Sequence, residues 1–538
     1  MPEQIVGNGH GENNNLSNYP NGWVVFWLGW GLLVRLTIGA ILPAGYDETY
    51  YYLYVHYLDW SYFDHPLLVA LTTGLGTWLT GAVTPFTIRL GSILLYTGTL
   101  YFFYLTAKRL FNPRSALFSL VLATLIPFFT VGFGVLTLPD SSLMFFWSLT
   151  LYLASWEFWR EEIYLPSWRI LLISIAIGLA CLGKYHGFLL GFGLVLFCLF
   201  SDRHRRALWS KWTVLGFVFF LITISPLLWW NYQWDWVSFK FQSGRAVPDR
   251  SYSLVDLFVT FLVSNGYLFP SLGLPLWWVS MAKLGQAWLG KVSEQEKLIL
   301  AVSVPVFLGF TLMGGYRQIL PSWHMPGFFT AVILLGEWVS IWHDRYPHRV
   351  RIWLWSSGMV IFSLLTVALL HTSYGLLQKG GKYAIAGGFW DIKQDPSTEL
   401  VDVVQMRQVF LQDATIREQL KTVDFIFCNN FFLAGQVGMA LVPQIKQPVT
   451  TFATDLRGFA FWEDDRSWLG KNGLYITSQL FAEDLSKYDG YFDRITFIKE
   501  LPLYRAGQVA QTFLIYRAEH LRKTYPRPYG INRVPAQN

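Results

Sequence analysis

The chain runs to 538 residues, of which 53% are hydrophobic and only 14% charged, with a mean hydropathy of +0.34. A soluble domain carries about 25% charged residues, so an ordinary water-soluble protein is excluded. The net charge of +6 is no nucleic-acid signature, since the basic residues fall in short loops between apolar runs, and Cys181, Cys198 and Cys428 are too scattered for a disulfide framework or a zinc site.

In chain order, residues 1–22 are polar and rich in Asn and Gly, and read as a disordered cytoplasmic tail. They lack the basic start of a signal peptide, so the first apolar run reads as a retained membrane helix. Apolar runs predict spans at 23–43, 86–107, 115–133, 141–159, 168–182, 185–200, 211–230, 254–281, 298–314, 320–341 and 352–370, about eleven bilayer crossings. Residues 44–85, aromatic and only moderately apolar, are expected to lie on the membrane surface as interfacial helices. The expected fold class is therefore a polytopic α-helical membrane protein with a membrane domain over 23–371 and a soluble α/β domain over 372–538. In the second domain, 423–427, 473–477 and 511–517 read as strands and 431–441 as a helix. Its charged residues form no evident catalytic cluster.

Loop charges give an orientation. Alternate loops carry Lys108, Arg109 and Arg114; Arg160 and Arg169; Arg203, Arg205, Arg206 and Lys211; Lys283, Lys291 and Lys297; Arg345, Arg349 and Arg351. The intervening loops carry only Lys184, Lys240, Arg245, Arg250 and Arg317. The positive-inside rule places the first set in the cytoplasm. The chemically unusual residues then share the opposite face with the C-terminal domain, which implies a site open to the periplasm, lumen or cell exterior.

That face begins with AGYDETYYYLYVHYLDWSYFDHPLL, where Asp47 and Glu48 are the candidate catalytic carboxylates. Acids favour a helix N-terminus and tyrosines favour the interface, which is the structural alternative. The functional one is a carboxylate beside a low-dielectric wall that takes a proton from an acceptor hydroxyl. Adjacent helical positions face different directions, so the two are not expected to cooperate as an acid–base pair. Asp64-His65-Pro66 and Pro139-Asp140-Ser141 each read as a helix start with a capping residue and, equally, as rigid polar groups of a site. Lys184, in Gly183-Lys184-Tyr185-His186, and Arg245 and Arg250, after WWNYQWDWVSFKFQ, either snorkel or meet a lipid phosphate. Arg317 and His324 complete the candidate substrate-binding set. No glycine-rich nucleotide loop stands at a strand–helix junction, so a nucleotide-sugar or ATP site is not indicated.

Taken together, Tyr46-Asp47-Glu48-x-Tyr50-Tyr51, Asp64-His65-Pro66-Leu67, Pro139-Asp140-Ser141, Gly183-Lys184-Tyr185 and Trp230-Asn231-x-Gln233-x-x-Trp236-x-Ser238-Phe239 resemble the bacterial GT-C glycosyltransferases. The nearest branch is that of the protein O-mannosyltransferases and the lipid A aminoarabinose transferase. The resemblance covers about residues 23–330. It implies a GT-C-like catalytic domain in a bacterial plasma membrane, and inverting transfer of a hexose or pentose from a polyprenyl-phosphate donor to a lipid, glycan or protein acceptor at the outer face. It casts Asp47 as base or acceptor-orienting group and Lys184 and Arg245 as holders of the donor phosphate. Asp140 and His65, with Asp64 and His186 beside them in the same motifs, would line the cavity. The single Pro of Asp64-His65-Pro66-Leu67 and a diverged entry to the C-terminal domain depart from the branch pattern and leave the acceptor open. No cofactor is called for, and a divalent metal remains an option. The competing readings are a transporter or flippase of lipid-linked sugars, against which the lack of an internal repeat counts, and a non-catalytic assembly protein.

Overall fold

The computed structural model describes residues 21–160 and 163–527. The expected disordered tail lies outside the described residues except for Asn21 and Gly22, which open the first helix.

Proline punctuates the bundle. It stands in the first turn of the helices Pro85–Leu110, Pro113–Leu125, Pro139–Phe158, Pro270–Trp288, Pro321–Arg345 and Pro347–Tyr374, where its missing N–H would have no intrahelical partner and its φ suits the helix. Thr84 and Asn112 cap two of these starts through the N–H groups of Thr87, Arg114 and Ser115. Each of the eleven predicted spans contains a helix, though that over 115–133 ends at Leu125, breaks at Ile126 and resumes as a π-helical turn over Phe129–Phe133. Six are long and apolar enough to cross a membrane, or seven if the bent pair Leu254–Leu268 and Pro270–Trp288 is one span. That pair turns by 117° at Phe269, whose φ of +69° breaks the helix that the sequence predicts as continuous. Pro113–Leu125, Arg169–Gly183 and Gly187–Phe200 have 13, 15 and 14 residues, short of the ~20 that a bilayer core requires. Pro321–Arg345 runs through the middle of the bundle with sixteen buried residues from Trp323 to Ser340.

The segment 44–85 departs from expectation. It does form two helices, Tyr46–His56 and Leu68–Thr80. The first, however, is not laid on lipid: every residue from Glu48 to Tyr54 is buried, because the C-terminal domain sits on it. Tyrosines that read as interface markers are domain-contact residues. The covering helix, Phe431–Leu441, approaches through Gly435 and Gly438. A Cβ on Gly435 would lie 2.9 Å from the backbone nitrogen of Tyr50, and one on Gly438 would lie 2.8 Å from the Leu53 side chain.

The C-terminal domain carries a five-stranded sheet of β1 (Phe425–Cys428), β2 (Val449–Thr451), β3 (Gly473–Ser478), β4 (Phe492–Arg505) and β5 (Gln508–Leu521), in the order β2-β1-β3-β5-β4. β1 is parallel to β2 and β3, while β5 runs antiparallel to β3 and β4. The predicted strands are β1, β3 and β5, and the predicted helix has its expected bounds. β2, of three residues, and β4, a half-exposed edge strand with charges along it, carry too weak a pattern to be foreseen.

Candidate active site

The site is built on the first turn of Tyr46–His56. Glu48 points into the protein. Its carboxylate accepts from Arg89 Nε (2.8 Å) and Nη2 (2.6 Å), from the N–H of Gly45 (2.8 Å) and from the N–H of Thr137 (3.0 Å). Arg89 in turn donates to the carbonyls of Gly39 and Pro43 at 3.2 and 2.8 Å. Four donors occupy the Glu48 carboxylate, so the expectation of a catalytic Glu48 gives way to a structural one. It pins the loop to the bundle.

Asp47, one position earlier, faces the other way. It is solvent-accessible and, among the described residues, has no hydrogen bond or ion pair. Protein crowds around it, and this desolvation, with Asp64 and Glu48 adding repulsion, pushes its carboxyl up to about 6 despite the opposing charges of Arg457 and Arg245.

Asp64 is buried and accepts from Tyr50 Oη at 3.1 Å, from Tyr54 Oη, and from Arg457 Nη1 at 3.3 Å. Its backbone carbonyl accepts from Gln242 at 2.8 Å, tying the first outer segment to the second. His65 lies edge-on to Tyr51 at 5.5 Å, and its Nδ1 has no partner among the described residues. Burial first, then the charges of Lys184, Arg245 and Arg457, hold the imidazole neutral by depressing its pKa well below the usual range.

Lys184 is not free. Its ammonium donates to both oxygens of Asp140 at 2.9 Å and to Ser322 Oγ at 3.3 Å, and both charged side chains are buried. His186 stacks on Phe310 at 5.2 Å, with Nε2 unpartnered among the described residues. Arg245 lies over the rings of Phe241 (5.1 Å) and Trp323 (5.4 Å), with no ion pair or side-chain hydrogen bond among the described residues. Burial and the neighbouring Arg457 both disfavour its charge, so an incoming anion would be welcome there. Arg317 donates to the carbonyls of Gly244 (3.1 Å) and Val247 (2.9 Å), and thereby shapes the Arg245 loop rather than facing a substrate. Arg250 pairs with Asp256 at 3.4 Å. His324 shares a 2.9 Å hydrogen bond with Ser264 Oγ, between two helices, and its Nδ1 has no partner among the described residues. A cavity of about 400 Å³ opens beside Arg245, lined by Ala246, Pro248, Tyr252, Leu312, Met313 and Tyr316.

The structure thus brings Asp47, Asp64, His65, Lys184, His186 and Arg245 into one electrostatically linked cluster, with Asp140 paired to Lys184, and it adds Arg457, which sequence reasoning missed. Arg457 belongs to the domain in which no cluster was evident, and its partner is 393 positions away. Its neighbours Phe459, Phe461 and Trp462 gave the only signal, an aromatic run too dense for a solvent-facing turn. Among the described residues no three of His, Cys, Asp and Glu converge to hold a metal ion.

Residues 64–230 match the family model of dolichyl-phosphate-mannose-protein mannosyltransferases, a stretch that includes Asp64, Asp140 and Lys184. A lipid A galacturonosyltransferase of Rhizobium johnstonii is 22% identical over 326 residues, which is 60% of this chain and 66% of that protein, a little under two thirds of its length. The fold is that of ArnT from Cupriavidus metallidurans, whose crystal structure with undecaprenyl phosphate superposes with a TM-score of 0.59 at 16% identity over 92% of this chain and 98% of that one.

Proposed function

We propose that this chain, an integral membrane protein of the GT-C superfamily of glycosyltransferases, moves a hexose or pentose from a polyprenyl-phosphate donor to a hydroxyl of a lipid, glycan or protein acceptor on the extracytoplasmic face, with inversion. The observation that carries the reading is an unengaged carboxylate, Asp47, with an unengaged guanidinium, Arg245, within electrostatic reach of it. The relative's action on lipid A favours a glycolipid acceptor, and the undecaprenyl phosphate bound by the structural relative is a donor carrier of the required chemistry.

The acceptor oxygen attacks C1 of the sugar as the C1–O bond to phosphate breaks. The acceptor proton passes to Asp47, and the electron pair leaves on the polyprenyl phosphate. Arg245 is the cation ready to meet that phosphate, because nothing has to be displaced. Lys184 can join by exchanging Ser322 for a phosphate oxygen while Asp140 keeps its charge balanced. The unpartnered nitrogens of His65 and His186 offer neutral hydrogen bonds to the sugar or phosphate. The apolar cavity beside Arg245 suits the first isoprene units, leaving the rest of the tail in lipid. Fixed cations at the leaving oxygen stabilise the charge that develops there. The site and the domain over 372–538 belong together outside the cytoplasm, since that domain buries the outer helix Tyr46–His56 and all the inward-facing loops are the basic ones.

The test is sugar transfer by purified protein from synthetic polyprenyl-phosphate donors to extracted envelope glycolipids, with the product's anomeric configuration read by NMR. Translocation of intact donor without any transfer would favour a flippase instead.

A further inference from the structure

The C-terminal domain does more than cover the site. Its segment 455–463 is wedged between the two outer segments of the membrane domain. Trp462 stacks on Tyr57 at 5.0 Å, Phe461 packs on Phe63 at 5.6 Å and on Trp234 at 5.1 Å, and Tyr57 Oη donates to Glu463 at 2.9 Å. At the inner end of the wedge the backbone is left-handed, with φ +48° at Arg457, a conformation that a non-glycine residue keeps only when its surroundings enforce it. The guanidinium is held between the rings of Phe431 (4.7 Å) and Phe241 (5.1 Å). It donates from Nε to Asp455 at 2.9 Å and from Nη1 to Asp64 at 3.3 Å. The next N–H, that of Gly458, donates to Tyr50 Oη at 2.8 Å, and that hydroxyl donates to the same Asp64. One strained turn therefore reaches Asp64 twice, directly and through Tyr50.

We propose that Arg457 is a positioning residue of the transfer site: docking of the C-terminal domain sets its guanidinium on Asp64, and this balances the carboxylate facing Asp47 so that Asp47 can stand ionised as the base. The inference rests on the reading of Asp47 given above. The groups facing Asp47 are Asp64 and Glu48, Arg457 and Arg245, with Tyr51 one turn along its own helix. Glu48 is already balanced by Arg89. Arg245 shares the Phe241 ring with Arg457 and is the cation that the donor phosphate engages. Arg245 also acts on Asp64 from a distance, and once the donor phosphate engages it, Arg457 is the cation left in contact with Asp64. Two neighbouring carboxylates do not both ionise readily, so without Arg457 the proton would stay on Asp47. An undocked domain would then mean an idle site, and the enzyme would be complete only when its two domains meet.

The experiment uses the full chain in lipid nanodiscs, comparing wild type with Arg457→Gln, Arg457→Lys and Tyr57→Phe. Transfer is followed against pH. An isotope-edited infrared titration follows the carboxyl band that disappears in Asp47→Asn, and it needs no turnover. For Arg457→Gln the acid limb and the infrared midpoint should both rise by about one pH unit or more, in keeping with loss of a nearby opposite charge. Its kcat should fall while the donor KM holds, and Arg457→Lys should recover part of both. Tyr57→Phe removes one hydrogen bond of the same wedge but keeps the ring stacked on Trp462, so the domain stays docked and the midpoint should stay in place. An unmoved midpoint in Arg457→Gln, or an equal shift in Tyr57→Phe, overturns the proposal. Wild-type protein that transfers no sugar would count against the transferase reading alone, and the infrared midpoint would still decide the role of Arg457.

Discussion

Glu48 and Arg89 meet across 41 positions of sequence in a two-pronged pair, with Nε 2.8 Å and Nη2 2.6 Å from the carboxylate oxygens and both side chains almost wholly buried. Removing one partner of such a pair leaves the other charge stranded and costs about 3–5 kcal/mol. Glu48→Gln should therefore lower the thermal unfolding midpoint markedly, and any loss of transfer should follow the loss of folded protein. Per folded molecule, as counted by size-exclusion chromatography, activity should stay within a few-fold of wild type. A well-folded but inactive Glu48→Gln would return this residue to the chemistry.

Asp47→Asn should behave in the opposite way. General-base assistance contributes typically 10²–10⁴-fold, and transfer should fall by about that much while donor binding persists. The wild-type rate should fall as pH drops below about 6, where Asp47 gains a proton. His65 is held neutral and should not contribute that limb, so His65→Gln should keep it. Stability carries its own sign. The folded protein binds the Asp47 proton more tightly than the unfolded chain does, so the stabilisation is present at low pH and lost as pH rises through about 6. Asp47→Asn should thus unfold at a higher temperature than wild type above pH 6, with the advantage fading toward pH 4.

Much of this site was legible because a charge in an outer loop of an apolar chain has few ordinary reasons to be there. Asp47, Lys184 and Arg245 stood out on that ground alone. What was not legible is who pairs with whom. Arg89 sits in a helix that otherwise reads as an apolar span, so nothing marked it as the partner of Glu48. Lys184 reads as a snorkelling side chain or a phosphate contact, and nothing local marks Asp140 as its partner. Arg457 reaches Asp64 only after two domains dock, and no local pattern encodes that docking. The fold divides likewise. Helices followed from apolar runs and prolines, whereas the break at Phe269 and the burial of Tyr50–Tyr54 arise from tertiary contacts that periodicity does not carry.

Arg245 and Lys184 should separate as donor ligands. Arg245 has no anionic partner to strand, so Arg245→Ala should keep the fold and raise the donor KM or lower kcat/KM about ten- to a hundred-fold, the worth of a charged hydrogen bond of about 1.5–3 kcal/mol. Lys184→Ala leaves a buried Asp140 without its cation and should cost stability as well as rate. Lys184→Met with Asp140→Asn should recover much of the stability and none of the rate. Equal stability losses for Arg245→Ala and Lys184→Ala would contradict the placement of Arg245.

The contact between domains offers the last prediction. In an isolated helix, Gly→Ala stabilises by about 0.5–1 kcal/mol, because alanine has less backbone freedom to lose. Gly435 should show the reverse. Its Cβ would come within 2.9 Å of the Tyr50 nitrogen and 3.2 Å of Thr49 Oγ1, and a backbone atom of a buried helix cannot step aside. Overpacking of this kind costs about 1–3 kcal/mol, and Gly435→Val should cost more than Gly435→Ala. Because Tyr50 holds Asp64 and accepts from Gly458, the strain should reach the site before it unfolds either domain. Gly435→Ala should therefore lower kcat and speed protease cleavage between Tyr374 and Val403, where the chain passes from the last membrane helix into the C-terminal domain, with little change in the bulk unfolding midpoint. Gly470, at a turn with open space around it and φ +77°, serves as the contrast. Gly470→Ala strains the backbone locally and should leave kcat untouched. If Gly435→Ala transfers sugar at the wild-type rate and resists protease equally well, the close approach of Phe431–Leu441 to Tyr46–His56 does not govern the site.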